Sequence, residues 1–135
     1  MGHTLRRGAY AALTAAAGAA LLVGCAEEPP RQVMPGPTST TTAAPQEATA
    51  LAERYRAGGG DPDVYGIQVQ DGPEGVPRVV VRTRNADEGD AIFRRQNTSV
   101  TAHLMNKEGA SFKNGYYIDV FGPEGRLIHR MDARP

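Results

Sequence analysis

The stretch from Val64 to Arg84, VYGIQVQDGPEGVPRVVVRTR, decides the fold class. Its first seven residues alternate, with Tyr65, Ile67 and Val69 on one side and Gln68 and Gln70 on the other. Arg78 to Arg84 alternates again, Val79, Val81 and Thr83 against Arg78, Val80, Arg82 and Arg84. A period of two with one apolar side marks a half-buried strand. The intervening Asp71-Gly72-Pro73-Glu74-Gly75 supplies turn chemistry. Together they read as a β-hairpin with one face toward a core.

Working outward, helical spacing precedes the hairpin. Pro45 is a suitable first-turn residue, and Ala48, Leu51, Ala52 and Tyr55 follow the i, i+3, i+4, i+7 spacing of one buried stripe. Gly58-Gly59-Gly60 then ends the helix. A phosphate-cradling loop would follow a strand and lead into a helix carrying Lys-Ser/Thr. This run follows a helix and leads to Asp61-Pro62, so it reads as a cap and linker.

After the hairpin, Asn85 with Glu88 three residues on resembles a helix N-cap and its capping-box partner. Ile92, Phe93, Val100 and Leu104 would form the stripe of a helix reaching Lys107. The β-branched run Thr98 to Thr101 leaves a strand over 98–104 as the alternative. Tyr116 to Phe121 and Arg126 to Met131 form a second hairpin around Gly122-Pro123-Glu124-Gly125, the same tetrapeptide found at 72–75. The expected class is α+β in the order α-β-β-α-β-β: a four-stranded, largely antiparallel sheet with two helices on one face.

Upstream of this domain, Ala26 to Ala44 holds Pro29-Pro30, Pro35-Gly36-Pro37... and Thr38-Ser39-Thr40-Thr41-Thr42.

 Little in this stretch could bury a core, so it reads as a disordered Thr/Pro-rich tether, with an end-to-end distance of about 25 Å as a flexible coil. The domain organisation expected is therefore a signal peptide over 1–24, a tether over 25–44 and one small domain over 45–135.

The first 24 residues have a basic start (Arg6, Arg7) and an apolar run from Ala9 to Leu22, with small residues before Cys25. This is the three-part arrangement of a secretory signal peptide. A spanning helix needs roughly 20 strongly apolar residues, more than this segment offers. Leu22-Val23-Gly24-Cys25 resembles the lipobox of bacterial lipoproteins. The resemblance implies cleavage before Cys25, diacylation of its sulfur (palmitate or a similar chain), and anchoring on the extracytoplasmic face of the cell membrane. Two acyl chains anchor stably where one is marginal.

Cys25 is the single cysteine, so neither a disulfide framework nor a second thiol ligand exists. No acidic residue precedes it, leaving 13 basic against 15 acidic side chains from Cys25 onward. That balance argues against nucleic acid as a partner. No cofactor motif and no metal-ligand spacing occurs; His103, His129, Asp119 and Asp132 are the residues from which a metal site would have to be built. Ser99 and Ser111 lack a nucleophile-elbow pattern. Glu74 and Glu124 sit at turn tips, where solvent keeps carboxylates ionised.

The polar sheet face carries more. Arg78, Arg82 and Arg84 on the second strand and Arg126 and Arg130 on the fourth would form a cationic platform if those strands lay side by side, a surface for an anionic wall polymer, a lipid headgroup or an acidic envelope protein. Of Tyr116-Tyr117, one ring is expected to face the core and the other solvent. The expected function is a membrane-anchored envelope lipoprotein with a non-catalytic binding or modulating domain. The alternatives are a small hydrolase or metal-dependent enzyme using a histidine, and a structural subunit of an envelope complex.

Overall fold

The computed structural model describes residues 36–135. Cys25 and the signal-peptide expectation lie outside the described residues. The elements are α1 (Gln46–Ala57), β1 (Val64–Gln70), β2 (Arg78–Thr83), α2 (Asp90–Lys107), β3 (Tyr117–Phe121) and β4 (Leu127–Asp132). They form the expected α+β order, with one four-stranded sheet in the order β1-β2-β3-β4.

The sheet is mixed rather than largely antiparallel. β1 with β2 and β3 with β4 are antiparallel, whereas β2 and β3 are parallel. The 18-residue α2 causes this, because a helical crossover carries the chain back to the end where β2 began. Val79 and Val81 then lie opposite Ile118 and Val120, giving the centre of the sheet one apolar face. Ala52 and Tyr55 of α1 and Phe93, Val100 and Leu104 of α2 join these four with Val64 and Ile67 in one core cluster.

Local irregularities explain the departures from simple alternation. A bulge between Val64 and Gly66 turns Val64 and Ile67 both inward, and the ring of Tyr65 lies against Arg84 instead of in the core. Asn85 does not cap α2. Asp87 N–H donates to Asn85 Oδ1 (2.9 Å) and Gly89 N–H to Asp87 Oδ1 (2.8 Å), two successive Asx turns that delay the helix to Asp90. Residues 98–104 are helical, and Thr101 returns its hydroxyl to Asn97 O at 2.7 Å. Gly60 fits beneath Tyr55, where a Cβ would stand 2.5 Å from the ring. Glycine there is a packing requirement as well as a helix stop.

Residues 36–44, assigned to the tether on composition, are tied to the domain. Leu127 N–H donates to Thr38 O (2.8 Å) and Thr40 N–H to Gly125 O (2.7 Å), so this strap adds a short antiparallel bridge at the start of β4. At its far end Ala44 approaches Gly66 of β1. A composition that cannot build a core can still extend a sheet edge through its backbone. Among the described residues no helix is long and apolar enough to cross a membrane.

Candidate functional site

The face of the sheet opposite the helices is built by the other half of the strand alternation. β2 contributes Arg78, Val80 and Arg82, β3 contributes Tyr117, Asp119 and Phe121, and β4 contributes Arg130, which lies opposite Asp119. β3 is buried on both faces. Arg78, Arg82 and Arg130 share this surface as the alternation implied, but β3 separates the two strands expected to be neighbours.

The five-arginine platform is therefore not what forms. Arg84 lies beyond the end of β2 with its guanidinium carbon 4.8 Å from the Tyr65 ring centre. Arg126 sits in the turn before β4 and pairs with Glu88. The other three are drawn down onto the sheet and roofed in part by the strap. Tyr116 and Tyr117 depart from expectation too. Tyr116 packs partly against the core and donates its hydroxyl to Asn97 Oδ1 at 3.0 Å. Tyr117 is only 3% exposed, its ring flanked by Arg78 and Arg134.

Asp119, 1% exposed, is the organising anion. Arg130 grips it with a two-pronged fork, Nε to Oδ1 at 2.8 Å and Nη2 to Oδ2 at 3.1 Å. Arg78 Nη1 stands 3.9 Å from Oδ2. The bonds to Asp119 push the Arg130 pKa still higher, against the opposing effect of burial. Arg130 also donates to the strap, to Pro37 O at 2.7 Å and Gly36 O at 3.3 Å. Gly36 is confined here, since a Cβ would lie 2.7 Å from Arg130 Nη2.

Arg82 is different. It is 5% exposed, and its single described hydrogen bond runs from Nη2 to Thr40 Oγ1 at 3.1 Å. Its Nε and Nη1 are buried without partners, as are Arg78 Nε and the Tyr117 hydroxyl. Native proteins satisfy nearly all buried polar groups, so four on one face is a concentration that needs a physical reason. All four can donate and three are guanidinium nitrogens. A guanidinium does not give up its proton, so these three nitrogens can donate hydrogen bonds to an anion but do not transfer protons.

The remaining candidates are not assembled. His129 stacks on Phe93 (4.4 Å between ring centres) on the core side of β4, opposite the face that holds Asp119 and Asp132. His103 meets the Tyr55 ring edge-on and places Nε2 3.2 Å from Glu108 Oε1. Glu108 is held below the usual carboxylate range, chiefly by the hydrogen bonds from Arg54 and with a contribution from His103. Among the described residues no group of three or more His, Cys, Asp or Glu could hold a metal ion. Ser99 shares a hydrogen bond with the Tyr55 hydroxyl (2.8 Å) inside an open cleft of about 470 Å3 that Gly60, Asp61 and Gln96 also line. Gln96 Nε2 donates to Asp61 Oδ2 (3.1 Å), so the cleft's polar groups largely satisfy one another.

Four participants were missed in this role: Asp119, named in the sequence only as a possible metal ligand, and three residues of the strap. Asp119 shares the arginine face by parity, a signal that was readable once β3 and its register are known. Gly36, Pro37 and Thr40 gave no signal, because they act through backbone carbonyls and one hydroxyl in a segment without periodicity. No family model matches the chain, and neither a curated protein nor a solved structure shows detectable similarity to it.

Proposed function

We propose that this chain is an extracytoplasmic lipoprotein, anchored to the cell membrane through lipid on Cys25, whose α+β domain is a non-catalytic binding or modulating module acting on an envelope protein or an anionic wall polymer. The anchor half of the reading rests on the Leu22-Val23-Gly24-Cys25 resemblance. One observation carries the binding half: the buried surplus of guanidinium donors on the strap-covered sheet face, where Asp119 serves Arg78 and Arg130 and Arg82 meets no carboxylate. Buried cations without matched acceptors are costly to keep for stability alone. An anionic partner would offset that cost.

The strap sharpens the geometry of anchoring. Gly36 lies eleven positions after Cys25 and contacts Arg130. Eleven residues reach at most about 40 Å, so a lipidated Cys25 would keep Gly36 within that distance of the membrane surface. The test is fractionation of cells making the native chain or Cys25→Ser, with crosslinking and mass spectrometry of what accompanies each. The reading expects the native chain in carbonate-washed membranes, the variant in the soluble fraction, and crosslinks to one envelope component. Membrane retention of the variant would overturn the anchor. Recovery of no envelope component would overturn the binding role.

A further inference from the structure

We infer that the arginine face binds a phosphate group at Arg82, in competition with the strap residue Thr40. This deepens the reading of that face as the binding surface and does not depend on the lipid anchor. The argument begins with the two-pronged edge of each guanidinium. Arg130 uses both prongs, Nε and Nη2, on the two oxygens of Asp119. The equivalent edge of Arg82 is half used: Nη2 holds the neutral Thr40 Oγ1, and Nε holds nothing. The geometry that Arg130 satisfies with a carboxylate is thus presented by Arg82 with a hydroxyl as placeholder.

No described carboxylate can take that place. Arg82 faces Gly66 on β1 and Phe121 on β3. Asp119, two residues back on β3, has both oxygens engaged by Arg130. Arg78 and Arg130 both meet Asp119, whereas Arg82 meets no described carboxylate, so its positive charge is left without a matched anion. A phosphate group matches this in charge, and its oxygens match the spacing of the Nε–Nη2 edge. Nη1 of Arg82 remains as a further donor to the same group.

Access explains the role of Thr40. The strap is held here by Arg82 through one neutral hydroxyl and by backbone bonds at Leu127 and Gly125. The Thr40 hydroxyl is neutral and takes one bond, whereas phosphate is anionic and can take two parallel bonds from the guanidinium edge, so phosphate outcompetes the hydroxyl where it can reach that edge. Binding therefore lifts Thr40 off Arg82.

The experiment is a titration of the full-length protein in detergent micelles, observed through the Arg side-chain Nε–H signals by NMR. One arm adds inorganic phosphate; the other adds phosphatidylglycerol vesicles, with uncharged detergent micelles as the blank. The expected result is a saturable shift of the Arg82 Nε–H signal. A shift in the first arm identifies free phosphate as sufficient, and a shift confined to the second identifies the lipid headgroup as the source. Arg82→Gln should weaken binding at least about tenfold, the loss expected for a hydrogen bond to a charged group. Thr40→Val should bind as tightly as the native chain or more tightly, since it removes the competitor, an outcome that a purely structural arginine would not give. An Arg82 signal unmoved in both arms overturns the inference, whatever Cys25→Ser does in cells. So does a Thr40→Val variant that loses phosphate affinity.

Discussion

Replacing Asp119 by Asn takes the one carboxylate from between Arg78 and Arg130 while keeping its shape. Asp119 is almost wholly buried and accepts two short bonds from Arg130, with Arg78 3.9 Å away. Breaking a buried ion pair by removing one partner costs about 3–5 kcal/mol, because the remaining charge stays desolvated. Here the lower end applies: the amide oxygen keeps one acceptor, and Arg130 retains Pro37 O and Gly36 O. A domain of this size has a total stability of about 5–10 kcal/mol. The expected loss is therefore about 3 kcal/mol, or a fall in Tm of about 12–24 °C. Urea unfolding followed by circular dichroism measures it, with an unchanged slope required before the midpoints are compared. The double variant Asp119→Leu/Arg130→Met should be less destabilised than the two single changes together, since it removes both charges. A loss below about 1 kcal/mol for Asp119→Asn would refute the reasoning, because Arg130 would then not depend on its carboxylate.

Three further outcomes follow from the geometry. Leu104→Ala, at a position 1% exposed on the core side of α2, should cost about 2–5 kcal/mol in the same unfolding assay. Gly125→Ala should free the strap, because Gly125 has φ +75° and a Cβ there would overlap Thr40 O; faster hydrogen exchange is expected at Leu127 and Thr40, with the Val79 and Ile118 amides still protected. Glu108, whose acidity the Arg54 bonds increase, should titrate below the ordinary glutamate range, and Arg54→Ala should return it upward. Its folded pKa is the lower one, so the stability it contributes is present above the unfolded value and disappears as pH falls through the folded value.

The sequence was most legible where a period ran uninterrupted. Val79, Val81 and Thr83 fell on the core side of β2 as the alternation required, and Ala48, Ala52 and Tyr55 on the buried side of α1. It was least legible where one residue shifted the period. The bulge at Val64/Gly66 exchanged Tyr65 for Val64, and a second irregularity at Val120/Phe121 offset β4. Such shifts follow from cross-strand pairing, which a single strand does not encode. The parallel β2–β3 pairing was hidden for a similar reason, since the hairpin signals concern neighbours in sequence and not the crossover between them.

The candidate site was half legible. Strand parity put Arg78, Arg82 and Arg130 on one face, and Gly122 to Gly125 marked the turn before β4. What the arginines meet there could not be read, because Asp119 enters through a strand pairing and the strap through backbone atoms. Burial reversed the expectation most strongly: charged residues alternating along a strand suggest a solvated face, yet Arg82 is among the most buried polar residues described. The repetition of arginine at 78, 82 and 84 on β2 and its flank thus conceals different roles. Arg84 lies on Tyr65 at the edge, and Arg82 faces inward without a matched anion.

Mass spectrometry of the N-terminal peptide of the native protein, recovered from bacterial membranes, tests the proposed anchoring most directly. The expected result is a chain that begins at Cys25 and carries the mass of a diacylglyceryl group on its sulfur. A chain that retains residues 1–24, or one with an unmodified Cys25, would contradict it.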